Sequence, residues 1–355
     1  MKIDDNDEEM GTEVDTTPSK TAEVHLDTYT TGVRWNGGGG QCAVSTDTRI
    51  HVYNVSHNSG VTYRTSLKHA ECLYDWDWSS EETLVTTGRY QPVQVSRVNS
   101  ESVVVEATYN CINHLDELSH AFSATVDHQR GQIICGLKGE LRTFDINRPG
   151  RLSVSQVTRD KSHGQNGIIS CLAVSPSLPV IAAGSYDRSV GLYSADQGER
   201  LCVFRGHQGG LTQVTFSEDG GQLITGGRKD NEIICWDLRQ PGQVLWTVNR
   251  VVATNQRIGF DTRGKYLISA NTDGSVRVWD TSGHVDTCVV EPAAGWVLHA
   301  DAVTDVRLHP DHEVMATSTG QRHFVLEESC DNESEENNFE NSLTIWNISD
   351  TLPNL

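Results

Sequence analysis

No run of eighteen apolar residues occurs in this chain, and its first fifteen residues, MKIDDNDEEMGTEVD, are charged where a secretory signal would be apolar. Neither a membrane span nor export is expected, so the reading is a soluble intracellular protein. Cysteine is present but unpatterned: nine residues with no C-x-x-C pair, which argues against a disulfide framework and a structural zinc site. Most should be reduced core residues. The sequons at Asn54, Asn332 and Asn347 carry no glycosylation meaning without a secretory route. Positive charge is scarce too, with 28 bases against 48 acids and a formal net charge of −20. Residues 1–15 and 326–340, however, hold seven carboxylates each, so the remainder is only mildly acidic and a local basic face on it stays open. No dense lysine–arginine run marks nuclear import.

Catalytic motifs are missing as well. Gly259-x-x-x-x-Gly264-Lys265 has the outline of a phosphate loop, but Tyr266 replaces the required hydroxyl and strands flank it where a helix N-terminus should follow. His309-Pro310-Asp311-His312-Glu313 has metal-binding residue types in a strand turn, without helical i, i+4 spacing. Ala316 to Gly320 echoes a nucleophile elbow without its strand-to-helix turn. The expectation is a protein that is not an enzyme and uses no cofactor or metal.

What is present is a repeat. Gly206 to Arg239 reads as three strands: LTQVTF (211–216), then an Asp219-Gly220-Gly221 turn, QLITGG, a polar turn ending at Asp230, and EIICWD. A Gly-His opening and a Trp-Asp close about thirty residues later mark a propeller blade. His207, Thr225, Asp230 and Trp236 can satisfy one another's buried polar atoms and form a structural clamp.

Aligned on Trp236, the unit recurs at Tyr53, Ser96, Phe144, Tyr193, Trp279 and Trp346. Asp47, Asp187, Asp230 and Asp273 each stand six residues before their marker, where a tight turn favours a carboxylate. The fold class is therefore all-β, a seven-bladed WD40 β-propeller over residues 21–350. Residues 1–20 read as a disordered acidic tail, and 321–342 as an acidic insertion in the last blade. AEVHLDTYT (22–30) alternates with nothing before it to pair with, so it is assigned to close the ring against the last blade. Joining the two chain ends implies high contact order and slow folding, which makes a cytosolic chaperonin an expected partner.

In a propeller, the turn before each innermost strand and the turn between the second and third strands open on one face. Read from the sequence, these turns collect Arg228, Lys229, Arg257 and Arg322 as cations, Tyr90 and Tyr186 as rings, and Asn255, Gln256 and Gln165 as amides. Cations for phosphates, amides for base edges and rings for stacking are what recognition of single-stranded RNA requires. Asp116, Glu117 and Asp301 lie in the same turns, so the face is mixed in charge.

The chain carries the strings CLYDWDW (72–78), NHLDEL (113–118), HGQNGIISCLAVSP (163–176), GGRKDNEIICWDLRQ (226–240) and TNQRI (254–258), of which NHLDE, GQNGIISC and TNQRI are not needed to build a blade. Through them, and over roughly residues 70–325, the chain resembles the telomerase Cajal body protein family. The resemblance implies a non-enzymatic scaffold that binds the Cajal body box of H/ACA small Cajal body RNAs and telomerase RNA. It implies partners among telomerase ribonucleoprotein and H/ACA proteins, and a nuclear, Cajal body location with some cytoplasmic protein. The N-terminal tail is much shorter than the family's long polar extension, and blade two lacks its marker aromatic. A competing reading comes from Trp236-Asp237-Leu238-Arg239, which resembles the box that docks some propellers to a cullin-type ubiquitin ligase.

Overall fold

A computed structural model describes residues 17–56, 60–100, 102–283, 288–322, 340–349 and 351. Of the disordered tail expected over residues 1–20, Ser19 and Lys20 belong to a strand, and of the insertion expected over 321–342, Ser342 begins one; residues 1–16 of the first and 323–339 of the second lie outside the described residues. Within them, 29 strands form seven sheets, and no helix is long and apolar enough to cross a membrane. The innermost strands are Thr30–Trp35, Leu73–Ser80, Ser123–Asp127, Ile169–Val174, Leu211–Phe216, Phe260–Arg263 and Val303–Leu308, and they number blades 1 to 7. The molecule is a seven-bladed β-propeller.

Blade 5 shows why these residues make these strands. Leu211–Phe216, Gln222–Gly227, Glu232–Asp237 and Gln243–Asn249 pair antiparallel in sequence order. At the first turn Asp219 accepts hydrogen bonds from the Ser217 hydroxyl (2.5 Å) and the Gly221 amide (3.0 Å), while Gly220 takes a φ of 73°. Only glycine adopts that left-handed conformation at little cost. The inner three strands are almost wholly buried because neighbouring blades cover both faces: Ala182, Val190 and Leu192 of blade 4 pack against Leu211, Val214, Phe216 and Trp236 of blade 5. Each large aliphatic or aromatic side chain so buried contributes about 1.5–3 kcal/mol.

The ring closes where expected, with a shifted boundary. The N-terminal strand is Ser19–His25, not residues 22–30, and it pairs antiparallel with Ser342–Asn347 from Ser19↔Asn347 to His25↔Ser342. Residues 26–29 carry the chain from the outer edge of blade 7 to the innermost strand of blade 1, so they cannot remain in the ladder. The inner seam is fastened as well: the Thr30 hydroxyl lies 2.6 Å from that of Thr304, and the Trp35 indole donates to the Arg307 carbonyl at 3.2 Å. One strand was not foreseen. Cys288–Val290 adds in parallel to Gln243–Asn249, and three residues carry no periodic signal.

Candidate nucleic-acid interface

The turns of the candidate face are held from beneath by buried polar clamps. In blade 5 the His207 ring lies 2.8 Å from both the Asp230 carboxylate and the Thr225 hydroxyl, and the Trp236 indole donates to that hydroxyl at 2.7 Å. Asp230 also accepts from the amides of Gln208 (2.9 Å), Gly209 (3.1 Å) and Glu232 (3.1 Å), so one carboxylate fixes two turns at once. Gly209 must be glycine, since a Cβ there would stand 1.9 Å from the Arg228 carbonyl. Burial alone would raise the Asp230 carboxyl, but His207 and the amides outweigh it and hold it at about 2.

Blade 7 has a second clamp that the sequence reading missed. His299 lies 2.9 Å from the Thr317 hydroxyl, which accepts from the Trp346 indole at 2.9 Å, and its other ring nitrogen meets the Glu340 carboxylate. The signal was available: Glu340 stands six residues before Trp346, as Asp230 does before Trp236. In blade 4 the position belongs to Gln165, and this corrects the expectation for that residue. Gln165 is fully buried; its amide nitrogen donates to the Ala183 and Ser189 carbonyls at 3.0 Å, and its oxygen accepts from the Tyr193 hydroxyl at 2.7 Å. It has no surface with which to read a base.

Above the clamps, the turns converge. Tyr186, Asn255, Gln256, Arg257 and Arg322 line one cavity of about 300 Å³ at the mouth of the central channel. Arg228 stacks on Tyr186, guanidinium carbon to ring centroid 4.1 Å, and makes no ion pair among the described residues. Lys229 is exposed at a φ of 48°, with its amide donating 3.0 Å to the Thr254 carbonyl of the neighbouring turn. A long side chain in that region costs of order 1–3 kcal/mol, a strain that clusters at functional surfaces. Tyr90, 64% exposed and also left-handed at 55°, sits further out. Its ring meets His120 edge-on at 4.9 Å, and His120 in turn meets Tyr74, a cavity residue the sequence reading did not select.

The cavity floor is an ion-pair belt that sequence reasoning did not foresee. Asp75 accepts from Arg34 at 3.2 Å and from Arg257 at 3.3 Å through one oxygen, and from the Ala124 amide at 3.1 Å through the other. Arg34 also pairs with Asp77 at 3.0 Å, and Arg307 with Asp305 at 3.2 Å. Burial opposes the Arg34 charge, but Asp77 and Asp75 outweigh it and the net shift is upward. Arg257, expected on phosphates, is instead tied into this belt because the channel sets it against a buried carboxylate. A second cavity, of about 380 Å³, lies on the other side, and Arg34, Asp75 and Arg257 line both.

Beneath the interface lies Arg250, 2% exposed and without a carboxylate partner among the described residues. Its guanidinium donates to the Ile258 carbonyl (2.9 Å) and the Gly227 carbonyl (3.2 Å), joining the turn that carries Arg228 to the one that carries Asn255 and Gln256. Burial pulls its pKa down to about 10, so it is cationic at neutral pH. In the box at the end of blade 5, Arg239 folds back onto Asp237 with two bonds of 3.0 Å, and the ligase-adaptor reading gains no support.

The family model for the WD domain, G-beta repeat, matches residues 155–194, 198–237 and 247–280. Each match begins in, or just before, the fourth strand of one blade and ends at the third strand of the next, so every sequence repeat ties two blades together. Telomerase Cajal body protein 1 of Mesocricetus auratus is 37% identical over 325 residues, covering 85% of this chain and 60% of its own length. The Homo sapiens protein of that name is 39% identical over 277 residues, covering 75% and 50%, and the Drosophila melanogaster homolog 31% over 272 residues, covering 74% and 46%. The chain thus spans between 46% and 60% of the length of these relatives. The propeller architecture and the identity running along most of its blades lead to one assignment: the chain belongs to the telomerase Cajal body protein family.

Proposed function

We propose that this propeller is a non-enzymatic scaffold that binds an unpaired loop of H/ACA small Cajal body RNA, and of telomerase RNA, on the face around the upper channel mouth. It directs that RNA to Cajal bodies. The observation that carries the reading is the convergence of Tyr186, Asn255, Gln256 and Arg322 on one cavity, with Arg228 stacked beside it. Arg228, which makes no ion pair among the described residues, suits a phosphate, and rings with amides suit unstacked bases. The relatives' name, Telomerase Cajal body protein 1, supports a link to telomerase and a nuclear site of action.

H/ACA proteins and the telomerase ribonucleoprotein are the partners this cargo brings, and the end-to-end ring closure makes chaperonin assistance in folding part of the same proposal. Crosslinking in cells followed by RNA sequencing tests it. Enrichment of H/ACA small Cajal body RNA, with crosslinked peptides containing Tyr186 or Tyr74, is expected. Recovery of unrelated transcripts in proportion to their abundance would reject the proposal.

A further inference from the structure

The cavity at the channel mouth has a floor of paired charges, and its chemistry differs from that of its rim. The belt of Arg34, Asp75 and Arg257 stands between it and the cavity below and lines both. At about 300 Å³ it stands at the small end of ligand pockets, with room for one flat heterocycle and none for a paired helix. Its walls carry three tyrosines from different places in the chain, Tyr29, Tyr74 and Tyr186. Burial raises all three phenols, which keeps them neutral at physiological pH.

The charge pattern sorts the parts of a nucleotide. Arg228 and Lys229 are outside the cavity, while Asp75 and Asp305 line its floor together with Arg34 and Arg257. The floor arginines are already held by Asp75, so it is Arg228 and Lys229 at the rim, with no ion pair among the described residues, that could take a phosphate. A neutral base is indifferent to the net field, and its ring N–H or exocyclic amine finds acceptors there. Asn255 and Gln256 at the wall present both donors and acceptors, and Gln256 is oriented by the Arg322 amide, which donates to its oxygen at 3.3 Å.

We infer that the cavity is a single-base pocket: one nucleobase of the docked loop is turned out of its stack and inserted, while the flanking phosphates stay on Arg228 and Lys229. This rests on the RNA-scaffold reading and specifies how that RNA is held. Extruding a base from a loop costs less than from a duplex, because the loop base has no partner to lose.

An abasic scan tests it. A hairpin RNA of the H/ACA class is titrated against the full chain with one loop base removed at a time, and with 2-aminopurine at each position in turn. One position should lose about tenfold or more in affinity, and 2-aminopurine at that same position should be quenched on binding. Its neighbours should lose less than about threefold. Tyr186→Phe should keep that sensitivity and Tyr186→Leu should abolish it. Quenching in the unaltered protein carries the test should the leucine variant not fold. Tight binding with the loss spread evenly over the loop, or with no position sensitive, overturns the pocket and leaves the scaffold reading standing. Failure of the intact hairpin to bind at all overturns both.

Discussion

The guanidinium of Arg250 donates 2.9 Å to the carbonyl of Ile258 from a position with almost no solvent access, at the base of the turn that presents Asn255 and Gln256. The same group holds Gly227, one residue before Arg228, at 3.2 Å. A single buried cation thus sets the spacing between the turn that would meet phosphates and the turn that would read a base.

Arg250→Met should therefore loosen both turns while leaving the blades paired. Two buried carbonyls lose their donor, a destabilisation of about 2–4 kcal/mol. RNA affinity should fall by at least tenfold, and the slope of log affinity against log salt should become shallower as Arg228 and Lys229 drift from the phosphates. A loss of active protein alone would lower the bound amplitude without changing that slope. Titration at several salt concentrations separates the two.

The clamps make a sharper stability prediction. Thr225→Val removes the hydroxyl shared by His207 and Trp236, leaving two buried groups without a partner, and should cost about 2–4 kcal/mol in chemical denaturation. Thr86 occupies the equivalent place in blade 2: Leu84 pairs with Ser96 there as Leu223 pairs with Trp236 in blade 5. With no indole above it, the Thr86 hydroxyl is buried without a partner among the described residues. Thr86→Val should be neutral or slightly stabilising, because no hydrogen bond is lost and a desolvated hydroxyl is removed.

Acid sensitivity follows from Asp230. Its carboxyl is held at about 2 in the fold against an ordinary value of 3.8. The folded-state pKa is the lower of the two, so the contribution is present in full above roughly pH 4 and is lost as pH falls toward 2, a change of about 2 kcal/mol. Asp230→Asn should lower the melting temperature at pH 6 and have much less effect at pH 2.5. An equal effect at both pH values would show that the carboxylate's charge does not matter.

How much of this was legible in the chain depended on distance along it. The blades were readable because their signals are local: Asp219-Gly220-Gly221 needs nothing beyond its own residues to turn, and Trp236 announces its strand. Most of the candidate face was readable for the same reason, since turn positions follow from strand positions. Gln165 was misassigned because its turn position pointed outward while the Tyr193 hydroxyl, 28 residues away, required an amide partner inside. The ion-pair belt was invisible because Arg257 and Asp75 are 182 residues apart and meet only when the ring closes. Glu340 was overlooked for another reason, as one acid among the seven of residues 326–340.

The most direct measurement is a titration of an H/ACA hairpin RNA against the unaltered chain and the Arg228→Glu/Lys229→Glu variant. Each charge-assisted contact contributes about 1.5–3 kcal/mol, so the variant should bind at least about a hundredfold more weakly. Its salt slope should be shallower by roughly two phosphate contacts. Unchanged affinity in a variant that melts at the temperature of the unaltered protein would contradict the account and move the RNA to a different surface.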